Sequence, residues 1–124
     1  MGSLTEWTGL AHQGGTMPRY MLQFAYTAEA WAALTSNPTD RAEVFRALAE
    51  KLGARLLGLD YTMGDYDGVA ILEAPDDTTA MAVILAAIAP GHVRATRTTR
   101  LMPPSEAMAA MRKAQGAGYK APQR

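Results

Sequence analysis

Val69, Ala70, Ile71 and Leu72 follow one another without a polar interruption, and few folds can satisfy such a run. Successive strand residues point to opposite faces of a sheet. A strand of this composition therefore needs apolar neighbours above and below it. Turn-forming residues bound the run on both sides. Gly64-Asp65-Tyr66-Asp67 precedes it and Pro75-Asp76-Asp77 follows it. This delimits a strand from Gly68 to Ala74. The preceding segment, Ala54 to Met63, repeats the pattern with Leu56, Leu57 and Leu59. Two strands joined by so short a Gly/Asp segment form an antiparallel hairpin.

The other elements follow from their periodicities. From Arg19 to Thr27, Tyr20, Leu22, Phe24 and Tyr26 alternate with Arg19, Met21, Gln23 and Ala25, which predicts a strand. Thr27 is placed to cap a short helix running through Leu34. After Ser36-Asn37-Pro38, Thr39 is expected to cap a longer helix that ends at Gly53. Its core stripe is Val44, Leu48 and Leu52, with Phe45 and Ala49 beside them. Its outer face carries Glu43, Arg46 and Glu50, which can pair at i+3 and i+4. Asp76 or Asp77 caps a helix from Thr78 to Ala89, stopped by Pro90-Gly91. His92 to Leu101 reads as the fourth strand. Pro103-Pro104 breaks the chain before a last helix, Ser105 to Gln115, with Met108 and Met111 on one side.

The order is β-α-β-β-α-β plus a terminal helix. It predicts an α+β, ferredoxin-like fold: a four-stranded antiparallel sheet with its helices on one face. Two helices cover one face only, yet the third strand is apolar on both, and Met81, Val83, Ile84, Leu85 and Ile88 leave the second helix without a polar side. A second copy packed sheet against sheet would bury the remainder, so a homodimer or higher homo-oligomer is expected. Three segments result: an extension over residues 1–16, a domain over 17–102, and a C-terminal helix and tail over 103–124. In the extension, Gly14-Gly15 closes a polar segment and Met17 is a candidate start. Leu4, Trp7 and Leu10 are spaced by three, as in one stripe of a short docking helix.

Composition excludes several classes of function. The chain has no cysteine, so disulfides, thiol nucleophiles and cysteine-ligated metals are out, and a cytoplasmic location is favoured. Two distant histidines make no metal site, and no cofactor is expected. No run approaches the roughly 20 apolar residues of a membrane span. Net charge is zero, so no global field recruits nucleic acid. Charge is nonetheless uneven. Residues 1–91 hold 5 basic and 11 acidic side chains, and residues 92–124 hold 7 basic and 1 acidic. Either the two parts neutralise each other, or the last strand builds an anion-binding surface.

Several motifs together resemble the GYD domain family. They are Met17-Pro18-Arg19-Tyr20, the turn Gly64-Asp65-Tyr66-Asp67 and the segment Arg97-Thr98-Thr99-Arg100-Leu101. The end Glu106-Ala107-Met108 to Met111-Arg112-Lys113-Ala114, then Gly118-Tyr119, completes the set. The similarity runs from about Met17 to Pro122. It implies a dimeric α+β barrel of ferredoxin-like fold in small bacterial proteins, with no catalytic set to carry over. Where family members continue with branched apolar residues after the turn, this chain has Gly68, which is expected to loosen the hairpin.

Candidate site residues fall in two groups. By parity Arg94, Thr96, Thr98 and Arg100 share one face of the fourth strand. Facing an inter-sheet cavity, with Tyr26 as lining, they would hold a small anionic or apolar molecule through charge-assisted bonds. The plainer alternative is ion pairing with the acidic N-terminal portion of a partner. Arg97, on the other face, is expected to pair with Asp60 or Glu73. Asp65 and Asp67 flank Tyr66. They form either a small acid/base or cation site or a turn whose carboxylates bond turn amides. His92 reads as a surface or capping residue, and Tyr20, Tyr61 and Trp31 as core and cavity lining. Three functions stay open: a small-molecule binding or accessory module, a cofactor-free monooxygenase-like or isomerase-like barrel enzyme, and a structural assembly protein.

Overall fold

The computed structural model describes residues 17–123. The candidate docking stripe on Leu4, Trp7 and Leu10 and the residue His12 lie outside the described residues. Eight elements follow in order: β1 (Arg19–Tyr26), α1 (Ala28–Ser36), α2 (Arg41–Lys51), β2 (Arg55–Tyr61), β3 (Gly68–Glu73), α3 (Asp77–Ile88), β4 (Val93–Leu101) and α4 (Pro104–Ala114). The strands form one antiparallel sheet in the order β2-β3-β1-β4. This is the ferredoxin-like α+β arrangement expected from the element order.

Local chemistry sets the helix starts. Thr27 Oγ1 accepts from the Ala30 N–H at 3.1 Å and begins α1. The α2 cap is Asp40, not Thr39: its carboxylate accepts from Ala42 N–H at 3.0 Å and Glu43 N–H at 3.4 Å. A charged acceptor also complements the positive end of the helix dipole, which a threonine hydroxyl does less well. Of the two aspartates before α3, Asp76 is the cap, accepting from Thr79 N–H at 2.8 Å. That hydrogen bond holds its carboxyl below the ordinary carboxylate range.

The core lies between the sheet and helices α2 and α3. Tyr20, Leu22, Leu56, Ala70 and Leu72 of the strands meet Ala49, Ala80 and Val83 of the helices. Every residue of β3 from Gly68 to Leu72 is buried. Ala70 and Leu72 belong to the helix-side core. Val69 and Ile71, only 6% and 1% exposed, stand on the opposite face in rows with Gln23 and Met21. The apolar run is thus buried on both faces within one chain, so Val69 and Ile71 do not call for the second copy that the apolar strand led one to expect.

Three expectations need correction. The α2 stripe is rotated: Ala49 is buried and Phe45 packs against the core, whereas Val44 and Leu52 are exposed. Val44 is exposed because it borders the open cavity described below. Gly68 does not loosen the hairpin. A Cβ there would lie 2.2 Å from Phe24 Cζ, so glycine makes the space in which the Phe24 ring crosses the sheet. Arg97 pairs with neither Asp60 nor Glu73. Its row reads Asp60, Val69, Gln23, Arg97 across the sheet, about 14 Å from end to end at normal strand spacing. Glu73 stands in the row of Arg19 and Leu101, four residues further along β4. The Glu43–Arg46 pair on the outer face of α2 does form, at 2.8 Å. As an exposed i,i+3 pair it is worth a few tenths of a kcal/mol.

Candidate functional site

A cavity of about 260 Å³ opens between α2, α3 and the β1–β4 side of the sheet. Leu22 and Ala70 of the sheet form its floor, with Leu59 from β2. Phe45 and Leu48 of α2 and Ile84 and Ile88 of α3 form its walls. Thr96 and Thr98 stand on its outer rim, exposed on the edge strand. Their registers place them opposite Phe24 and Leu22, on the face that the helices cover.

One end of the cavity is polar. Tyr26, Arg41 and His92 meet there. Tyr26 reaches it because the β1–β4 register shifts between Ala25 and Tyr26, which brings Tyr26 opposite Val93. His92 is placed by the chain reversal after α3. Gly91 adopts φ +92, and the Thr27 N–H donates to the His92 carbonyl at 3.0 Å. The His92 and Tyr26 ring centroids are then 6.3 Å apart. Arg41 is the first residue of α2, directly after its cap. A cation there opposes the helix dipole, so the helix gains nothing from it. Among the described residues Arg41 has no carboxylate within ion-pairing distance.

Tyr26 is the hub of an aromatic cluster. Its ring lies 5.4 Å from Phe24, 5.2 Å from Trp31 and 6.3 Å from Tyr61, centroid to centroid, all in tilted or edge-on geometries. Such pairs add to stability beyond the area they bury. Burial, and then the Tyr61 hydroxyl 3.4 Å away, hold the Tyr26 phenol well above its ordinary pKa, against the opposing pull of Arg41. The phenol therefore stays protonated and shares a hydrogen bond with the Tyr61 hydroxyl.

Asp67 fixes this cluster. Its Oδ2 accepts from the Tyr26 N–H at 2.8 Å and from Trp31 Nε1 at 3.1 Å. Its own N–H donates to the Phe24 carbonyl at 2.8 Å. The hairpin turn is thus pinned to the end of β1. Asp67 Oδ2 bonds this distant strand and helix, not the turn amides of the sequence expectation. Asp65 is exposed in the turn, away from the cavity.

Of the sequence candidates, the fold gathers Tyr26, Thr96 and Thr98 into one site and leaves Arg94, Arg100, Asp65 and Asp67 outside its lining. The β1–β4 register shift makes Arg94 the extra residue between Val93 and Ala95, which breaks the expected parity. Arg100 stands opposite Tyr20. There the Tyr20 phenol donates to Asp77 Oδ1 at 2.5 Å. Burial first, and Asp77 second, raise the Tyr20 pKa, while Arg100 lowers it. This polar group ties β1 to the start of α3. The face shared by Thr96, Thr98 and Arg100 is the helix side, so the cavity lies within one chain and not between two sheets.

Periodicity alone leaves Arg41 unmarked and reads His92 as a surface or capping residue. The signal for Arg41 was its type. An arginine is out of place electrostatically at the first position of a helix, and that shows only once Asp40 is known to be the cap.

The GYD domain matches residues 20–111, three quarters of the sequence. The chain belongs to the GYD domain family. The match begins at Tyr20 and ends inside α4 at Met111, so it takes in the pocket, the hairpin turn and most of the last helix. No curated protein matches the chain. Among solved structures it is similar to the crystal structure of MtbAldR. The TM-score is 0.52 at 12% identity, over 81% of this chain and 67% of that one. At that identity the likeness supports the ferredoxin-like fold alone. Among the described residues no helix is long and apolar enough to cross a membrane, and no cluster of acidic and histidine side chains is arranged to hold a metal.

Proposed function

We propose that this GYD domain protein is a small-molecule binding or accessory module, bacterial and cytoplasmic, whose ligand occupies the cavity between β4 and helices α2 and α3. The observation that carries the reading is the cavity itself, mostly apolar in its lining, with Tyr26, Arg41 and His92 close together and two threonines at the rim. That is the usual make-up of a ligand site. The volume sets the ligand's size. A cavity of roughly 150 Å³ takes a benzene, so one of about 260 Å³ suits about ten non-hydrogen atoms.

The test is native mass spectrometry of the purified protein, repeated on Ala87→Phe, which places a ring in the cavity wall. A retained mass or a titratable ligand lost in Ala87→Phe supports the reading. Equal binding by the filled variant contradicts it.

An isomerase-like activity is the alternative, because Tyr26, His92 and Arg41 converge at one end. With the Tyr26 phenol held protonated, His92 would be the base, and His92→Gln would abolish turnover while leaving binding in place. We also propose that copies associate. Met81 and Leu85 are each 55% exposed on α3, and α4 exposes Met108 and Met111. Sedimentation of dilute protein as a monomer would contradict this.

A further inference from the structure

Resting on the ligand pocket proposed above, we infer that its ligand is a small apolar carboxylate, seated with its body among Leu22, Phe45, Leu48 and Ile88 and its head on Arg41. Charge inside the cavity decides the class. Arg41 is the one side chain with a fixed charge among the lining residues, and no aspartate or glutamate lines the cavity. Among the described residues Arg41 has no ion-pair partner; what acts beside it is the Tyr26 phenol. A guanidinium left without a carboxylate at the end of an apolar pocket lacks the counter-charge it would ordinarily have, and a ligand carboxylate supplies one in bidentate form.

The neighbouring groups that line the cavity carry no negative charge. The Tyr26 hydroxyl, 3.4 Å from that of Tyr61 and beside Arg41, is a neutral polar group at the same place. The N-terminal turn of α2, which begins at Arg41, is already capped by the Asp40 carboxylate, and neither Asp40 nor Glu43 of that turn lines the cavity, so the charge facing the ligand is the Arg41 guanidinium. These features repel an ammonium group and leave a neutral alcohol with one hydrogen bond in place of a charge-assisted pair. The carboxylate also needs no second charge, since nothing else in the lining would neutralise one. A dianion such as a phosphate monoester would bring a second charge into a wall that is otherwise apolar.

Calorimetric titration with three matched probes tests this: 3-phenylpropanoate, 3-phenylpropan-1-ol and 3-phenylpropylamine. The expected order is carboxylate first by about tenfold over the alcohol, with the amine weakest. Arg41→Gln should erase the carboxylate's advantage but keep alcohol binding, Arg41→Lys should retain part of it, and Arg94→Gln, outside the cavity, should change nothing. If the alcohol binds as tightly as the carboxylate, or the advantage survives Arg41→Gln in a protein with wild-type circular dichroism, the carboxylate assignment is overturned while the pocket stands. If none of the three binds, both readings fall.

Discussion

β3 and β4 flank the same central strand, β1, yet they have opposite characters. β3 reads Gly-Val-Ala-Ile-Leu-Glu and is buried from Gly68 to Leu72. β4 reads Val-Arg-Ala-Thr-Arg-Thr-Thr-Arg-Leu and is exposed over most of its length. Both pair with β1 along most of their length, β4 with one shift near its start, so backbone pairing does little to separate them. What differs is their place in the sheet. β3 lies inside the sheet with Ala70 and Leu72 in the helix-side core, whereas β4 is an edge strand whose side chains stay largely exposed although α3 reaches it. The cavity lies on the β1–β4 side. A strand buried on both faces leaves no room for a ligand, whereas an edge strand can offer polar side chains without disturbing the core.

The largest expected effect lies on the buried side of that contrast. Leu72→Ala, at a fully buried position, should cost about 2–5 kcal/mol in urea unfolding. Thr98→Ala on the rim should change stability by less than about 0.5 kcal/mol. Equal losses would break the contrast. Gly68→Ala comes next: its methyl would overlap the Phe24 ring, and overpacking of this kind costs about 1–3 kcal/mol. Phe24→Leu in the same chain should recover part of that loss, because it removes the ring the methyl meets.

The two turn aspartates sharpen the comparison at smaller scale. Asp67→Ala strips an acceptor from the Tyr26 N–H and Trp31 Nε1, and should cost about 1–3 kcal/mol. It should also loosen the polar end of the cavity, read as a change in tryptophan fluorescence. Asp65→Ala, at an exposed turn position, should be close to neutral. The smallest effect is pH-dependent. The Asp76 carboxyl is held below its ordinary range by its cap to Thr79. Its contribution is therefore present above the unfolded carboxylate pKa and lost as pH falls through the lower, folded value. The stability gap between wild type and Asp76→Asn should be seen at neutral pH and close in acid.

Much of this architecture was legible in the residues. The alternation Tyr20, Leu22, Phe24, Tyr26, the Gly/Asp hairpin and the β3 run each reflect a local rule, and they place the sheet and both covering helices correctly. The site was less legible. Thr96 and Thr98 were found by parity, but parity also selected Arg94, because a register shift at the end of a strand leaves no trace in period-two alternation. The face those threonines occupy depends on which side the helices pack, and that follows from the connections between elements, not from β4 itself. Arg41 and His92 come together only through the turn at Gly91 and the cap at Asp40, which are tertiary facts. Asp67 was recognised as a turn residue, yet its partners Tyr26 and Trp31 are 41 and 36 positions away in sequence.

The account turns on the ligand entering the helix side of the sheet beside β4. Methyl-resolved NMR during titration with 3-phenylpropanoate measures this directly. Shifts should concentrate on Leu22, Leu48, Ile84 and Ile88, which line the cavity, and leave Val69 and Ile71 unmoved on the opposite face. Shifts confined to Val69, Ile71 and Met21, with the helix-side methyls silent, would contradict it and move the site to the other face of the sheet.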